Sequence, residues 1–493
     1  MKYIVSAKMK NAKHLLTEGR RVRRPALPAK LKARAITLPP PQKTPGASTP
    51  TALHAAMPTS MAVVPSGTSL FRRLFSFGST PKAMLTTETI RSSAHGKKGR
   101  VLWIGDAVVP TGFGTVTHSM LQHLCQDWDV VVSGVNYDGS PHSHPYTILP
   151  ACQGGDMWGI DHFRELCARH KPDAVIINND WWNVAAFLRE APASVPVIAY
   201  MPVDGANLNP AVIPQLNQLA AAVWYTHFGH REAVNAGFRG PRHVISHGLD
   251  TRQFRPVDRS VARRLLELPV LENAFIVGNV NRNQPRKRLD LTLQYFAQWV
   301  QQHQVPDAYL LLHCARQDVG WDLESVARYY GIGNRLLFTG GGHIRDSVDS
   351  SMLPLIYSAL DVQVSTTLGE GWGLTTMEGM ACGVPQIVPD WAALGEWATP
   401  ALKVPCPITL VHPEINTVGA VADKDAFVSA LQELYTDAGR RRQITRQSVR
   451  FARQNRFHWD VIAHQMENVL EQVIQSGARK SPTASRRRAL ALA

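Results

Sequence analysis

Asp361-Val362-Gln363-Val364-Ser365 reads as the end of an apolar strand, and Gly369-Glu370-Gly371-Trp372-Gly373 follows it as a glycine-rich loop. From about Leu374 to Cys382 the pattern is helical, with Gly383 and Pro385 as an ordinary helix stop. A second strand starts near Pro385-Gln386-Ile387-Val388. A strand, loop, helix and strand in this order confine the chain to the α/β class. They also build an anion site, because N–H groups at the helix N-terminus point outward and the helix dipole favours phosphate there. Two carboxylates sharpen it: Glu370 lies in the loop and Glu378 about one turn into the helix, with seven residues between them. A diphosphate on the helix N-terminus would leave one carboxylate near each end of the ligand. Carboxylates accept hydrogen bonds from hydroxyls, so one can hold a sugar and the other a ribose. The plain alternative is a solvated helix whose glutamates face water, for which a Gly-Trp-Gly loop makes poor filler.

Similar units fill the chain on either side. Gly99–Gly105 is an apolar strand that turns through Pro110-Thr111-Gly112-Phe113-Gly114 into a helix near Thr115–Leu124, and a strand follows at Asp129–Ser133. Gly112 and Gly114 let a ligand approach the backbone. The third glycine of a dinucleotide fingerprint is replaced by Thr117, and the second strand ends at Asn136 without an acid, which argues against an NAD enzyme. Strands at Ala174–Ile177 and Val197–Tyr200 lead into Asn178-Asn179-Asp180-Trp181 and Met201-Pro202-Val203-Asp204-Gly205. These loops sit at the carboxyl ends of strands, where open α/β sheets place ligands. Asn179, Asp180 and Asp204 are therefore candidates for sugar or acceptor hydroxyls, and Asp180 serves equally well as a helix N-cap. In the second half, Ala274–Val280 is a strand that runs into Arg282, Arg286, Lys287 and Arg288, four cations within seven residues. A leaving nucleoside diphosphate develops negative charge, and cations placed in advance stabilise it more in the transition state than in the ground state.

The Glu370–Glu378 spacing, followed by Gly379-Met380-Ala381-Cys382-Gly383-Val384-Pro385, resembles the E-x₇-E signature of family 4 retaining nucleotide-sugar glycosyltransferases. Ser246-His247-Gly248-Leu249-Asp250 is similar to that family's P-H-G-V-D element, with Ser in place of Pro. The resemblance spans about residues 99–475. It implies the GT-B fold: two Rossmann-like domains facing across a cleft. The expected divisions are a disordered basic arm at 1–97, an acceptor-side domain at 98–255, a nucleotide-sugar domain at 256–455, a crossover helix at 456–478 and a basic tail at 479–493. It further implies that Arg282 and Lys287 clamp the donor diphosphate, Glu370 contacts the donor sugar and Glu378 holds the ribose. Backbone near Gly371, Gly373 and Leu374 would reach the donor, and Gly112 and Gly114 would face the cleft. Trp372 either walls the sugar or anchors the loop. Many relatives carry a His near Asn179 that contacts the donor sugar, and here Asn179-Asp180 stands instead. The expected co-substrate is a UDP- or GDP-sugar with no permanently bound cofactor and no metal; Asp423-Lys424-Asp425 contains a D-x-D, but Asp423 directly precedes a helix and reads as its N-cap.

Charge is unevenly spread over the 493 residues. Residues 1–100 hold 19 Lys and Arg against Glu18 and Glu88, and residues 479–493 add five cations, which leaves 101–478 at a net −7. The sparse apolar periodicity of 1–97 predicts disorder, with a short helical piece at Ser69–Phe75. Such an arm suits nucleic acid or an anionic membrane surface, or simply keeps the chain soluble. The six cysteines are scattered without metal-site spacing and read as reduced thiols. No apolar run approaches the ~18 residues of a membrane span, so the expected location is the cytoplasm, with peripheral membrane contact open. The acceptor is expected to be a hydroxyl on a glycan, a lipid-linked sugar or a modified nucleobase in DNA. A non-catalytic sugar-nucleotide or partner-binding protein on the same scaffold is the alternative. A sugar phosphorylase is disfavoured, because the Glu378-Gly379-Met380-Ala381-Cys382-Gly383 stretch has no lysine for pyridoxal phosphate.

Overall fold

The computed structural model describes residues 96–268, 273–340, 350–412 and 416–480. Nearly all of the expected basic arm, its Ser69–Phe75 helix and most of the basic tail lie outside the described residues.

Fifteen strands are present among the described residues. The first seven are β1 (Arg100–Asp106), β2 (Asp129–Val135), β3 (Ile148–Pro150), β4 (Ala174–Asn178), β5 (Val197–Met201), β6 (Ala221–Trp224) and β7 (Arg242–Val244). They form one parallel sheet in the order β3-β2-β1-β4-β5-β6-β7. The next six are β8 (Phe275–Val280), β9 (Ala308–His313), β10 (Leu336–Phe338), β11 (Val362–Val364), β12 (Gln386–Pro389) and β13 (Leu402–Val404). They make a second parallel sheet in the order β10-β9-β8-β11-β12-β13. Strands β14 (Ile408–Val411) and β15 (Val418–Val421) pair as an antiparallel hairpin.

Both sheets are buried on both faces, as parallel sheets flanked by helices must be. The alternation is visible residue by residue. Val101 and Trp103 of β1 enter one core, while Leu102 and Ile104 enter the core on the other face. In β8, Ile276 and Val280 face one way and Phe275 and Val277 the other. The last helix, Trp459–Lys480, returns to the first sheet: Trp128 Nε1 donates to Glu467 Oε1 at 3.1 Å, and Lys98 Nζ lies 2.7 Å from Glu467 and 2.9 Å from Glu471. Its apolar face, Ile462, Met466, Val469, Leu470 and Val473, is buried in the core it shares with the first sheet. The helix runs to Lys480, two residues beyond the expected end of the crossover.

In each sheet the strand order reverses once, between β1 and β4 in the first and between β8 and β11 in the second. Loops diverge at such a point and leave a crevice at the carboxyl ends of the strands. The four loops leaving these strands are the ones that carry Gly112, Asn179, Lys287 and Glu370.

Candidate active site

Lys287 and Glu370 meet. Lys287 Nζ lies 2.5 Å from Glu370 Oε1, and Arg286 Nη1 lies 3.2 Å from Glu370 Oε2 and also donates to the Gly369 carbonyl. Arg286 Nε reaches across to Asp204 Oδ2 at 3.1 Å, so one guanidinium ties the β5 loop of the first sheet to the β11 loop of the second. Burial pushes the Glu370 carboxyl up, but the adjacent ammonium and guanidinium outweigh it and hold the group below its ordinary value. Burial lowers Lys287, and the Glu370 carboxylate opposes that shift.

A buried polar network fixes the two loops to each other. Leu368 N donates to Arg286 O at 2.9 Å, and Thr366 Oγ1 donates to Arg288 O at 2.7 Å. Beneath them Asn279 Nδ2 donates to Thr292 Oγ1 at 2.8 Å, and Thr292 Oγ1 lies 2.6 Å from Thr366 Oγ1. Such networks rigidify a site when every member is satisfied.

The helix that begins after the loop is Leu374–Ala381. Its N-cap, Gly373, sits at φ 95° and makes no side-chain cap, so the first-turn N–H groups have no side-chain acceptor at the cap. Gly371 is required by close approach, since a Cβ there would stand 2.3 Å from Pro202 Cβ. A Cβ on Gly112 would lie 3.5 Å from Leu374 Cδ1, which places the exposed Gly112 turn directly opposite this helix start. Gly114 is different. It is buried with its Cβ position 2.7 Å from Val109 O, so it serves the turn itself and not a ligand.

Glu378 is 7% exposed and accepts from Tyr357 Oη at 2.6 Å through Oε2. Burial raises its carboxyl to about 7, with the Tyr357 hydrogen bond pulling the other way. Trp372 is 5% exposed and stacks on Trp397 with ring centroids 4.9 Å apart; His247 and Phe457 pack beside it. Of the two expectations for this ring, its surroundings favour the loop anchor over the sugar wall.

Arg282 has a partner of its own. Its Nε and Nη2 fork onto Asp318 at 2.8 and 3.0 Å, and the cation that joins Lys287 at Glu370 is Arg286. The sequence reading missed this because Asp318 lies in a loop with no pattern of its own. Arg282 still faces the first sheet, since its charge lowers the carboxyl of Asp106, which burial raises. Asp106 was also missed. It ends β1, accepts from Thr111 Oγ1 at 2.6 Å and from Asn136 Nδ2 at 3.0 Å, and so fixes the Gly112 turn. The Asp106-x₄-Thr111 spacing before a helix N-cap is the available signal, because Thr111 caps the Gly112–Asp127 helix through Gly114 N.

Asn179 uses Oδ1 locally, accepting from Asp180 N at 2.8 Å and Asn183 Nδ2 at 3.0 Å. Asp180 stands at the N-cap position of the helix Trp181–Glu190 without making the cap bond, and its charge acts on Arg286. Asp204 and Glu370 thus flank one guanidinium, and the charge of Asp180 acts on it from farther off. Asp423 accepts from Ala426 N at 2.8 Å in the expected N-cap arrangement.

Two further contacts close the rim. Ala206 and Val418 exchange backbone hydrogen bonds of 2.9 and 2.8 Å, joining the β5 loop to the hairpin. Glu396 of the helix Ala392–Trp397 caps the helix His227–Asn235 from the opposite sheet, accepting from His227 N at 3.0 Å and Phe228 N at 2.6 Å. Glu396→Ala is expected to lower stability by about 1 kcal/mol, the usual worth of an N-cap acceptor, read as a lower guanidinium chloride midpoint. An unchanged midpoint would show the cap contributes nothing.

Residues 272–437 match the family described as Glycosyl transferases group 1. The chain is 29% identical over 225 residues to a D-inositol 3-phosphate glycosyltransferase of Salinispora tropica, covering 44% of this chain and 43% of that protein. It is 30% identical over 162 residues to the lipopolysaccharide core biosynthesis mannosyltransferase LpsB of Rhizobium meliloti, covering 32% and 43%. The chain therefore spans under half the length of these two curated relatives. Among solved structures, a sucrose-phosphate synthase from Thermosynechococcus elongatus superposes with a TM-score of 0.61 at 20% identity, covering 76% of this chain and 99% of the other. Anabaena HepE in complex with UDP-glucose superposes with a TM-score of 0.60 at 16% identity, covering 76% and 100%. The two-sheet architecture is the GT-B fold of these proteins.

Proposed function

We propose, on the premise that residues 272–437 belong to the group 1 glycosyl transferases, that this chain moves a sugar from a nucleoside diphosphate to a hydroxyl acceptor. The observation that carries the reading is the convergence of Lys287, Arg286 and Glu370 on the uncapped start of the helix Leu374–Ala381, opposite the Gly112 turn. In this reading the diphosphate lies on the helix N-terminus, where Lys287 and the N–H groups of Gly373 and Leu374 receive the charge that develops as the glycosidic bond breaks. Glu370, released from part of its pairing with Lys287, takes hydroxyls of the donor sugar, and Glu378 takes those of the ribose. Arg282, held in aim by Asp318, adds its positive charge on the diphosphate side. The proposed donor is a UDP- or GDP-sugar; the solved complexes of HepE and of a trehalose-6-phosphate protein from E. coli contain UDP-glucose and UDP-2-fluoro glucose, respectively.

The route is proposed to retain anomeric configuration without a metal. No side chain acts as covalent nucleophile: the leaving phosphate takes the acceptor proton on the face from which it departs. The acceptor approaches from the first sheet, where Asp180 and Asp204 lie. The acceptor class is a hydroxyl on a glycan, on a lipid-linked sugar or on a modified nucleobase. Among the described residues no helix is long and apolar enough to cross a membrane. Incubating the full chain with a panel of UDP- and GDP-sugars, and following nucleotide release without acceptor, tests the reading. Slow hydrolysis of one donor supports it, and binding without any turnover would favour a non-catalytic sugar-nucleotide protein.

Glu378 makes this reading depend on pH. Its folded pKa of about 7 stands above the ordinary 4.5. Between those values the unfolded chain has lost the proton while the folded protein keeps it, so stability falls as pH rises through that window and levels off above it. Ribose hydroxyls donate to the ionised form, so donor KM is expected to fall from roughly pH 6 to 8. In Glu378→Gln this slope should flatten and KM should rise; a variant that keeps the wild-type profile would remove Glu378 from the donor site.

A further inference from the structure

An open depression of about 700 Å³ that shares no residue with the Lys287–Glu370 pair is lined by Thr251, Arg252, Arg255, Arg453 and His458. Its walls come from the two places where the chain passes between the sheets. Thr251, Arg252 and Arg255 belong to the linker between β7 and the helix Arg259–Leu265. Arg453 and His458 flank the turn between the helix Ala438–Ala452 and the final helix. The two passes are pinned together at the cavity by a parallel bridge between Leu249 and His458, with Leu249 N donating to Phe457 O at 2.7 Å.

Three guanidinium groups line the depression, with little among the described residues to neutralise them. Arg252 has a loose contact with Asp250, 3.4 Å from Nε to Oδ1 on a side chain 88% exposed. Among the described residues, neither Arg255 nor Arg453 donates from its side chain to any carboxylate. Arg282 and Arg286, by contrast, are paired, the first with Asp318 and the second with Asp204 and Glu370. Like charges gathered around one concavity raise the local potential and concentrate anions. Arginine forks match phosphate oxygens two at a time. The volume is that of a small-molecule site and exceeds what a lone phosphate ion would fill.

We propose that this cavity binds a small soluble phosphorylated molecule, its phosphate held between Arg255 and Arg453 and its remaining polar groups near Thr251 and His458. The site is separate from the donor site, and the proposal does not depend on which sugar is transferred. A ligand held by both passes of the chain ties the linker to the final helix.

The test uses the full chain carrying Lys287→Ala, which weakens phosphate binding at the donor site, and the Arg255→Gln/Arg453→Gln variant in the same background reads whatever remains there. Thermal unfolding is followed against inorganic phosphate and glycerol 3-phosphate, with sodium chloride at matched ionic strength as control. The expected result is a saturable rise of about 3 °C beyond the chloride control, larger for glycerol 3-phosphate and absent in Arg255→Gln/Arg453→Gln. Single Arg255→Gln and Arg453→Gln variants should each weaken the apparent affinity at least about fivefold. Equal responses in the double variant, or none above chloride in the parent, would overturn the proposal. Sedimentation with phosphatidate vesicles separates the other source of the same chemistry: Arg255- and Arg453-dependent capture on vesicles without a response to the soluble probes would also overturn it. If the double variant misfolds, the single variants and the parent response decide.

Discussion

Lys287→Ala and Glu370→Ala are each expected to lower sugar transfer by about 10²- to 10³-fold or more while leaving the fold intact. The size follows from the usual cost of removing one pre-placed donor from a site where charge develops. For Lys287 the loss should fall mainly on kcat, because the ammonium meets the diphosphate charge that grows as the bond breaks. In Lys287→Ala the fold should survive because Glu370 keeps its second cation, Arg286, at 3.2 Å; in Glu370→Ala, Arg286 keeps Asp204 at 3.1 Å and Lys287, already lowered by burial, can shed its proton. Glu370→Ala should raise donor KM as well, since that carboxylate is proposed to hold sugar hydroxyls. Steady-state rates, alongside circular dichroism to establish folding, decide the matter. Wild-type rates in both variants would defeat the assignment of this pair to the donor.

Arg263→Leu is expected to lose about 3–5 kcal/mol of stability, as removing one member of a buried ion pair does. Arg263 is 2% exposed. Its Nε donates to Ala359 O at 3.0 Å, Nη1 to Ala274 O at 2.9 Å and Nη2 to Asp361 Oδ2 at 2.9 Å. Asp361 also accepts from Ile276 N at 2.8 Å and pairs with the more exposed Arg259. One guanidinium therefore ties the helix Arg259–Leu265 to the entries of β8 and β11, the strands whose outgoing loops carry Lys287 and Glu370. The variant should unfold at a guanidinium chloride midpoint well below wild type. Arg259→Leu, at the exposed edge of the same carboxylate, should cost less than half as much. Equal midpoints for Arg263→Leu and wild type would mean that Asp361 finds another partner.

Much of this architecture was legible because the central strands are continuous apolar runs. β1, β4, β5, β8 and β9 announce themselves this way, since strands buried on both faces are mostly apolar and keep polar residues such as Asn178 and Asn279 to their carboxyl ends, next to the site. The edges were harder to see. β3 is three residues ending in Pro150, β13 is three residues, and the β14–β15 hairpin exposes Ile408 and Val411, so no period marks them. The helix Ala438–Ala452 escaped notice because five arginines interrupt it and its buried face is only Ile444, Ser448, Phe451 and Ala452. The site followed the same division. Lys287 and Glu370 each follow a strand end and were readable as site residues, whereas Arg286 and Glu396 act on partners in the other sheet. Asp204 and Glu370 are separated by most of the second domain's strands. Only the folded chain reveals that a single arginine serves both, and no local pattern could have favoured Arg286 over Arg282.

The two sides of the junction between the sheets are made of different materials. Toward the cleft, the halves are joined by charge and by main-chain hydrogen bonds: Asp204 through Arg286 to Glu370, the Glu396 cap and the Ala206–Val418 rung. Toward the back, Trp372, Trp397, Phe457, Trp459 and His247 interlock as rings. Opening the mouth of such a hinge exchanges polar partners for water and leaves the greasy pivot dry. Dissolved ions weaken the partly exposed Asp204–Arg286 link of that mouth more than the link to the buried Glu370, so salt loosens one end of the bridge before the other.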